Sequence, residues 1–177
     1  GENYVAANAI LINLVFLSAF ILDAYAFSTE GIVGYSLGKK DLNLFKNIVK
    51  NSFILSSISG LIISIIFFFT HNLVINLMSD INEIRELSSS YAVWLIILPV
   101  ISSFCYQFDG IFIGASQTKE LRNAMIFSVF SYLLISILLI KFLFNTGIWI
   151  SLCIFMILRA VSLFYCLDKI YLRFRKN

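Results

Sequence analysis

Three carboxylates stand inside long apolar runs of this sequence, where an ionised side chain is costly. Asp23 lies in "AFILDAYAF", Glu30 in "AFSTEGIVGYSLGKKD" and Asp109 in "YQFDGIFIGASQTKE". A charge at the centre of a membrane helix costs about 2.5–3.5 kcal/mol on insertion scales, so such residues usually face a cavity or a partner. A carboxylate in that setting can exchange a proton near neutral pH or hold a cation. This is the chemistry that ion-coupled transport requires.

Each acid also has a structural interpretation. Glu30 could lie at the water interface, where a charge costs little, and Asp23 could be hydrogen-bonded within a helix bundle or paired with Arg159. Asp109 is the hardest to explain in this way, because apolar residues continue for several positions beyond it. Arg159, in "FMILRAVSLF", is predicted to be a structural counter-ion to one of these acids, with a direct role in gating as the alternative.

Composition identifies the chain as an integral membrane protein whose first partner is the lipid bilayer. Of its 177 residues, 60% are hydrophobic and only 13% are charged, whereas soluble domains are about a quarter charged. The basic residues are spread over short loops, which argues against a nucleic-acid partner. The sequence contains no nucleophile elbow, HExxH motif, phosphate loop or paired-cysteine site, so we expect neither an enzyme nor a cofactor.

Hydropathy predicts an all-α, polytopic bundle of five transmembrane helices, since a spanning helix needs roughly 20 mostly apolar residues. A short segment, "NLVINLMS", is predicted to lie at the membrane interface. The C-terminal segment 168–177 is predicted to be a tail in water. The five predicted spans are 5–37, 48–70, 87–116, 124–144 and 148–167.

Loop charges predict the orientation, because Lys and Arg accumulate on the cytoplasmic side. Ten of the thirteen basic residues follow the first, third and fifth spans. Those loops and the C-terminus are therefore predicted to lie in the cytoplasm. We expect the protein to reside in the inner (plasma) membrane. The N-terminus and the "SDINEIRE" loop then lie outside. An odd number of spans with an outside N-terminus leads us to expect a further helix upstream, so that the chain is a piece of a longer protein.

Other polar residues within the spans extend the candidate site. Tyr106 and Gln107 share part of the circumference of the third span with Asp109, and Tyr106 could make a cation–π contact. Asn8 and Asn13, in the first span, either line the same cavity or bond between helices. Glycines follow the acids in both spans, and close helix packing is their predicted role. These are Gly31, Gly34, Gly110 and Gly114.

Three stretches resemble helices eight, ten and twelve of the multidrug and toxic compound extrusion (MATE) transporters, in their DinF-like branch. The first is residues 5–41, with "AAN", "LDAYAFSTE" and the loop glycines before "KKD". The second is "LPVISSFCYQFDGIFIGASQTKELRNAM", with "DGIFIGA" and "ELRN". The third is "GIWISLCIFMILRAVSL". The resemblance covers nearly the whole chain in order, as helices eight to twelve of the C-terminal lobe.

The resemblance implies a two-lobe antiporter that exports cationic or amphipathic compounds in exchange for H⁺ or Na⁺ by alternating access. Asp109 matches the tenth-helix acid used in cation binding, so Na⁺ could bind there, and Asp23 and Glu30 match acids of the eighth helix. The N-terminal lobe is absent, so it would be supplied by the same chain or by a separate one. The implied substrate is an organic cation.

Two alternatives remain open at this point. One is a lipid or polysaccharide flippase with the same two-lobe plan, against which the few basic residues within the spans count. The other is a non-transporting five-helix membrane scaffold from a split gene, which would form a stable complex with a separate lobe or with itself.

Overall fold

The computed structural model describes residues 1–175, apart from the side chains of Arg173 and Arg175. This part of the chain is helical throughout apart from short connections, which confirms the predicted all-α membrane class. Four of its helices, all but α3, are long and apolar enough to cross a membrane. The helices are α1 (Glu2–Gly38), α2 (Leu42–Met78), α3 (Asn82–Ser90), α4 (Val93–Gly114) and α5 (Thr118–Arg175).

The longest element, α5, consists of two helical arms that are joined by a break at Phe144 and fold back on each other as a hairpin. Its backbone leaves helical geometry at Phe144, where φ is 47° and ψ is −127°, a left-handed φ that non-glycine residues rarely adopt. Just beyond the break the chain doubles back, and a Cβ added at Gly147 would lie 2.6 Å from the carbonyl carbon of Leu139. At the far end of the hairpin, Lys169 Nζ lies 3.1 Å from Glu120 Oε1. Each arm exceeds the roughly 20 residues that a span needs.

The structure differs from the predicted boundaries at α2 and α3. The segment "NLVINLMS" continues the second span as the last part of α2 up to Met78, because no glycine or proline interrupts the helix between Leu61 and Met78. The predicted third span began at residue 87, but Leu87 belongs to α3, and a turn at Tyr91 separates α3 from α4. The predicted tail continues α5 as far as Arg175. Lys176 and Asn177 lie outside the described residues.

Helix α4 is the centre of the bundle and packs against α1, α2 and α5. Its glycines let α1 approach closely. A Cβ added at Gly110 would collide with the backbone of Ala26, and one added at Gly114 would collide with the backbone of Glu30. Gly31 has no neighbour within 4 Å of such a Cβ among the described atoms, so the predicted packing role does not extend to it.

Helix α2 packs against α4 next to the proline inside α4. Pro99 has no N–H and interrupts the helical hydrogen-bond ladder. Next to this break, the hydroxyl of Ser64 donates to the carbonyl of Ile96 at 2.6 Å. Gly60 packs directly on the carbonyl oxygen of Pro99, which would lie 2.8 Å from an added Cβ. Here α2 can approach α4 because its contact residues are small.

The lysine-bearing connections gather at one end of the bundle. A core cluster there joins Phe45 at the start of α2, Ala115 at the end of α4 and Ile170 near the end of α5. A second cluster, at the other end, contains the start of α1 and the beginning of α4. Among the described residues, the basic residues that follow the first, third and fifth predicted spans therefore lie at the same end of the bundle.

We predict that Gly110→Ala destabilises the folded protein, whereas Gly31→Ala does not. Overpacking a close contact typically costs about 1–3 kcal/mol, and the atoms in the way at Gly110 are backbone atoms that cannot rotate aside. At Gly31 the added methyl group enters open space, and replacing a helical glycine by alanine gains about 0.5–1 kcal/mol. Thermal unfolding of the two purified variants in the same detergent measures the difference. Equal melting temperatures would contradict the close approach of α1 and α4.

Candidate functional site

The centre of the candidate site is an ion pair between α4 and the second arm of α5. Arg159 Nη2 lies 2.6 Å from Asp109 Oδ2, and only 13% and 11% of the two side chains are exposed. The thiol of Cys105, one turn before Asp109, is also buried next to this pair. Of the three acids Asp23, Glu30 and Asp109, the structure therefore pairs Arg159 with Asp109.

The ion pair leaves polar atoms free on both partners. It uses one oxygen and one nitrogen, whereas a bidentate Arg–carboxylate pair uses two of each. Asp109 Oδ1 and Arg159 Nε are both buried without a hydrogen-bond partner in the described part of the chain. A buried polar atom without a partner carries a desolvation cost of about 1–3 kcal/mol or more when it is charged. The free carboxylate oxygen is thus an acceptor for a proton or a ligand for a small cation.

Asp23 adds a second negative charge beside this pair. Its half-buried side chain lies on α1, close enough to interact electrostatically with Asp109 and with the Tyr106 hydroxyl. Asp23 forms no hydrogen bond or ion pair with any residue that the structure describes. Two carboxylates against one guanidinium leave one net negative charge when all three are ionised. A single bound cation would neutralise it.

Gln107 makes a different contact from Asp109, although the two were predicted to share part of the circumference of the third span. Its fully buried side chain points to α1, where Thr29 Oγ1 lies 2.9 Å from Gln107 Oε1. Thr29 Oγ1 also lies 2.8 Å from the carbonyl oxygen of Tyr25, and its one hydrogen can serve only one acceptor. Gln107 Nε2 has no partner among the described residues. Gln107 therefore belongs to the α1–α4 interface.

Asn8 holds the start of α1 to the break in α5. Its amide exchanges two hydrogen bonds with Asn145, at 2.6 and 3.1 Å, and its oxygen also accepts the indole N–H of Trp149 at 3.1 Å. Of the two roles predicted for Asn8, the structure shows bonding between helices. Asn13 is exposed and is not brought to this cluster.

Sequence reasoning missed the partners in these two polar clusters. The sequence signal for Asn145 and Trp149 was weak, because they are simply an asparagine and a tryptophan near the short connection between the last two predicted spans. Thr29 gave no signal beyond its place before Glu30. Glu30 itself is half-buried next to Gly114, and its carboxylate makes no ion pair with any described residue.

Comparison with known proteins agrees with the geometry of a membrane helix bundle. The MatE family model matches residues 1–142. The chain belongs to the MatE family. It is 31% identical over 163 residues to the DNA damage-inducible protein F of Escherichia coli strain K12. That match covers 92% of this chain and 35% of the relative, so the chain spans about a third of the relative's length.

No solved structure matches the chain. The match to the MatE family confirms the predicted resemblance to the MATE transporters. Members of this family are membrane transporters, which confirms the prediction that the chain is not an enzyme. Family membership and several apolar helices together make this a multi-pass membrane protein.

We predict that Arg159→Leu destabilises the protein more than the double substitution Arg159→Leu/Asp109→Leu. Removing one partner of a buried ion pair leaves an uncompensated charge and costs about 3–5 kcal/mol, whereas replacing both partners by apolar residues can be neutral. Thermal unfolding of the two single variants and the double variant in one detergent gives the coupling between the two positions.

Asp80→Ala is the matched control, because the Asp80 side chain is fully exposed in its ion pair with Arg85. Exposed pairs contribute about 0–1 kcal/mol, so this variant should melt close to the wild type. If the effects of the two single substitutions simply add in the double variant, Asp109 and Arg159 do not interact.

Proposed function

We propose that this chain supplies the cation-binding part of a secondary antiporter, which exports cationic or amphipathic compounds in exchange for H⁺ or Na⁺. The observation that supports the proposal is the buried ion pair of Asp109 and Arg159, in which Asp109 Oδ1 has no partner in the described part of the chain, with a second acid, Asp23, half-buried on the neighbouring helix α1. A carboxylate pair with one uncompensated charge attracts one cation and is neutral once that cation is bound. Membership of the MatE family supports transport as the activity that uses this property.

Exchange follows if the coupling ion and the organic cation compete for the same carboxylates. Binding of H⁺ or Na⁺ would remove the negative charge that holds the organic cation, and binding of the organic cation would in turn favour release of the ion. Each cation must also bind the two states of the alternating-access cycle with different affinities, because a ligand shifts a conformational equilibrium only by that difference. Tyr106, beside Asp23, offers an aromatic face to the organic cation, a contact worth about 0.5–2 kcal/mol.

Arg159 determines where the coupling ion can bind. Two unit charges 4 Å apart repel by about 4 kcal/mol at an effective dielectric constant of 20. A Na⁺ ion is therefore disfavoured next to the Arg159 guanidinium, and Na⁺ would be held between the free Oδ1 of Asp109 and the Asp23 carboxylate. A proton has no such restriction, since it removes charge from whichever carboxylate it binds.

The proposed transporter has two lobes, and this chain forms part of the C-terminal one. The chain spans 35% of its relative from Escherichia coli, so the remaining lobe would come from the same polypeptide or from a separate one. We place the protein in the inner (plasma) membrane with its lysine-rich end in the cytoplasm. The clustering of the basic connections at one end of the bundle supports this orientation.

We predict that Asp109→Asn and Asp23→Asn each reduce ion-coupled export by the complete transporter by about tenfold or more. Each substitution removes one charge-assisted contact worth about 1.5–3 kcal/mol, which corresponds to roughly a tenfold or greater loss of ion affinity. Uptake of a fluorescent organic cation into inverted membrane vesicles measures the activity under an imposed pH gradient or Na⁺ gradient, because export from the cell corresponds to uptake by an inverted vesicle. The gradient that drives this uptake identifies the coupling ion.

Asp80→Asn is the control, because Asp80 is an exposed acid on the short connection outside the bundle core. Wild-type uptake by both the Asp109→Asn and the Asp23→Asn variants would refute the assignment of the site. A non-transporting scaffold would show no uptake in any variant, and a flippase would move labelled lipid without a dependence on either gradient.

A further inference from the structure

A groove between α1 and α2 is lined by polar side chains that the ion-binding site does not use. It has a volume of about 280 Å³, and the residues that line it belong to α1 and α2. Hydroxyl and amide groups form one part of its wall and aliphatic side chains the other. The residues that matter here are Tyr25, Ser28, Asn47, Ile48, Asn51 and Leu55.

The two asparagines in this groove lack protein partners. Asn47 and Asn51 are one helical turn apart on α2, so their amides lie on the same face. Both are exposed, and neither makes a hydrogen bond with any residue in the described part of the chain. Each amide carries two N–H donors, so both side chains are available to a ligand with oxygen acceptors.

Positive charge surrounds the same end of the two helices. The connection between them carries Lys39 and Lys40, and Lys46 and Lys50 lie on the first turns of α2. The one acid in this connection, Asp41, is engaged as the N-cap of α2, where its side chain accepts the N–H of Leu44. Juxtamembrane lysines attract anionic lipids by about 1 kcal/mol each near the surface.

We propose that this groove binds one anionic phospholipid of the bilayer leaflet at the lysine-rich end. The amides of Asn47 and Asn51 donate to ester and phosphate oxygens of the lipid. One acyl chain lies on Ile48 and Leu55, and the surrounding lysines select the negative headgroup. The site is separate from Asp109 and Asp23, so it holds whether or not the proposed ion exchange does.

The test compares lipid retention by the purified complete protein, using native mass spectrometry after incubation with vesicles of phosphatidylglycerol and phosphatidylcholine in equal amounts. Wild-type protein should keep one phosphatidylglycerol, and Asn47→Leu/Asn51→Leu should reduce that retention about tenfold, as expected for the loss of hydrogen bonds worth about 1.4 kcal/mol. Asn13→Leu, on an exposed position of α1 outside the groove, is the matched control and should retain lipid as the wild type does. Lys46→Gln/Lys50→Gln should lose the preference for phosphatidylglycerol.

Two results would overturn the proposal. One is equal retention of phosphatidylglycerol by the wild type and by Asn47→Leu/Asn51→Leu. The other is an equal reduction in Asn13→Leu, which would show general loss of surrounding lipid. If the double variant does not fold, the single variants Asn47→Ala and Asn51→Ala make the same comparison with smaller changes.

Discussion

The buried pair of Asp109 and Arg159 is the interaction on which the rest of this structure depends. Two ionised groups taken out of water are tolerated only with good geometry and further polar contacts. In this bundle the two side chains meet at 2.6 Å, yet each keeps one buried polar atom without a described partner. Asp109 Oδ1 is therefore held in place by the pair and is still open to a proton or a small cation.

The helices are arranged so that this pair can form. Helix α4 carries Asp109 in the middle of the bundle, and Gly110 directly after it allows α1 to approach closely enough to bring Asp23 near. The break at Phe144 turns the second arm of α5 back along the first, and this arm presents Arg159 to α4. The polar cluster of Asn8 and Asn145 fixes the arm at its start.

Sequence alone could predict the class of fold and the acids, because membrane burial makes charged residues conspicuous. It also predicted Arg159 as a counter-ion, but the choice between Asp23 and Asp109 depends on how α5 is rotated against α4. That rotation is a property of side-chain packing between helices distant in sequence. Gln107 lies two positions before Asp109, about 200° around the helix, so the two side chains leave α4 on different sides, and Gln107 meets Thr29 on α1. The uninterrupted end of α2 was missed because hydropathy falls there while helix formation continues.

Infrared difference spectroscopy of the purified protein in lipid, recorded while H⁺ or Na⁺ is added, tests directly whether Asp109 and Asp23 bind the cation. We expect a carboxyl signal that changes with the cation, disappears in Asp109→Asn and is altered in Asp23→Asn, because the two acids share one cation. A cation-dependent carboxyl signal that is identical in wild type and in both variants would contradict it.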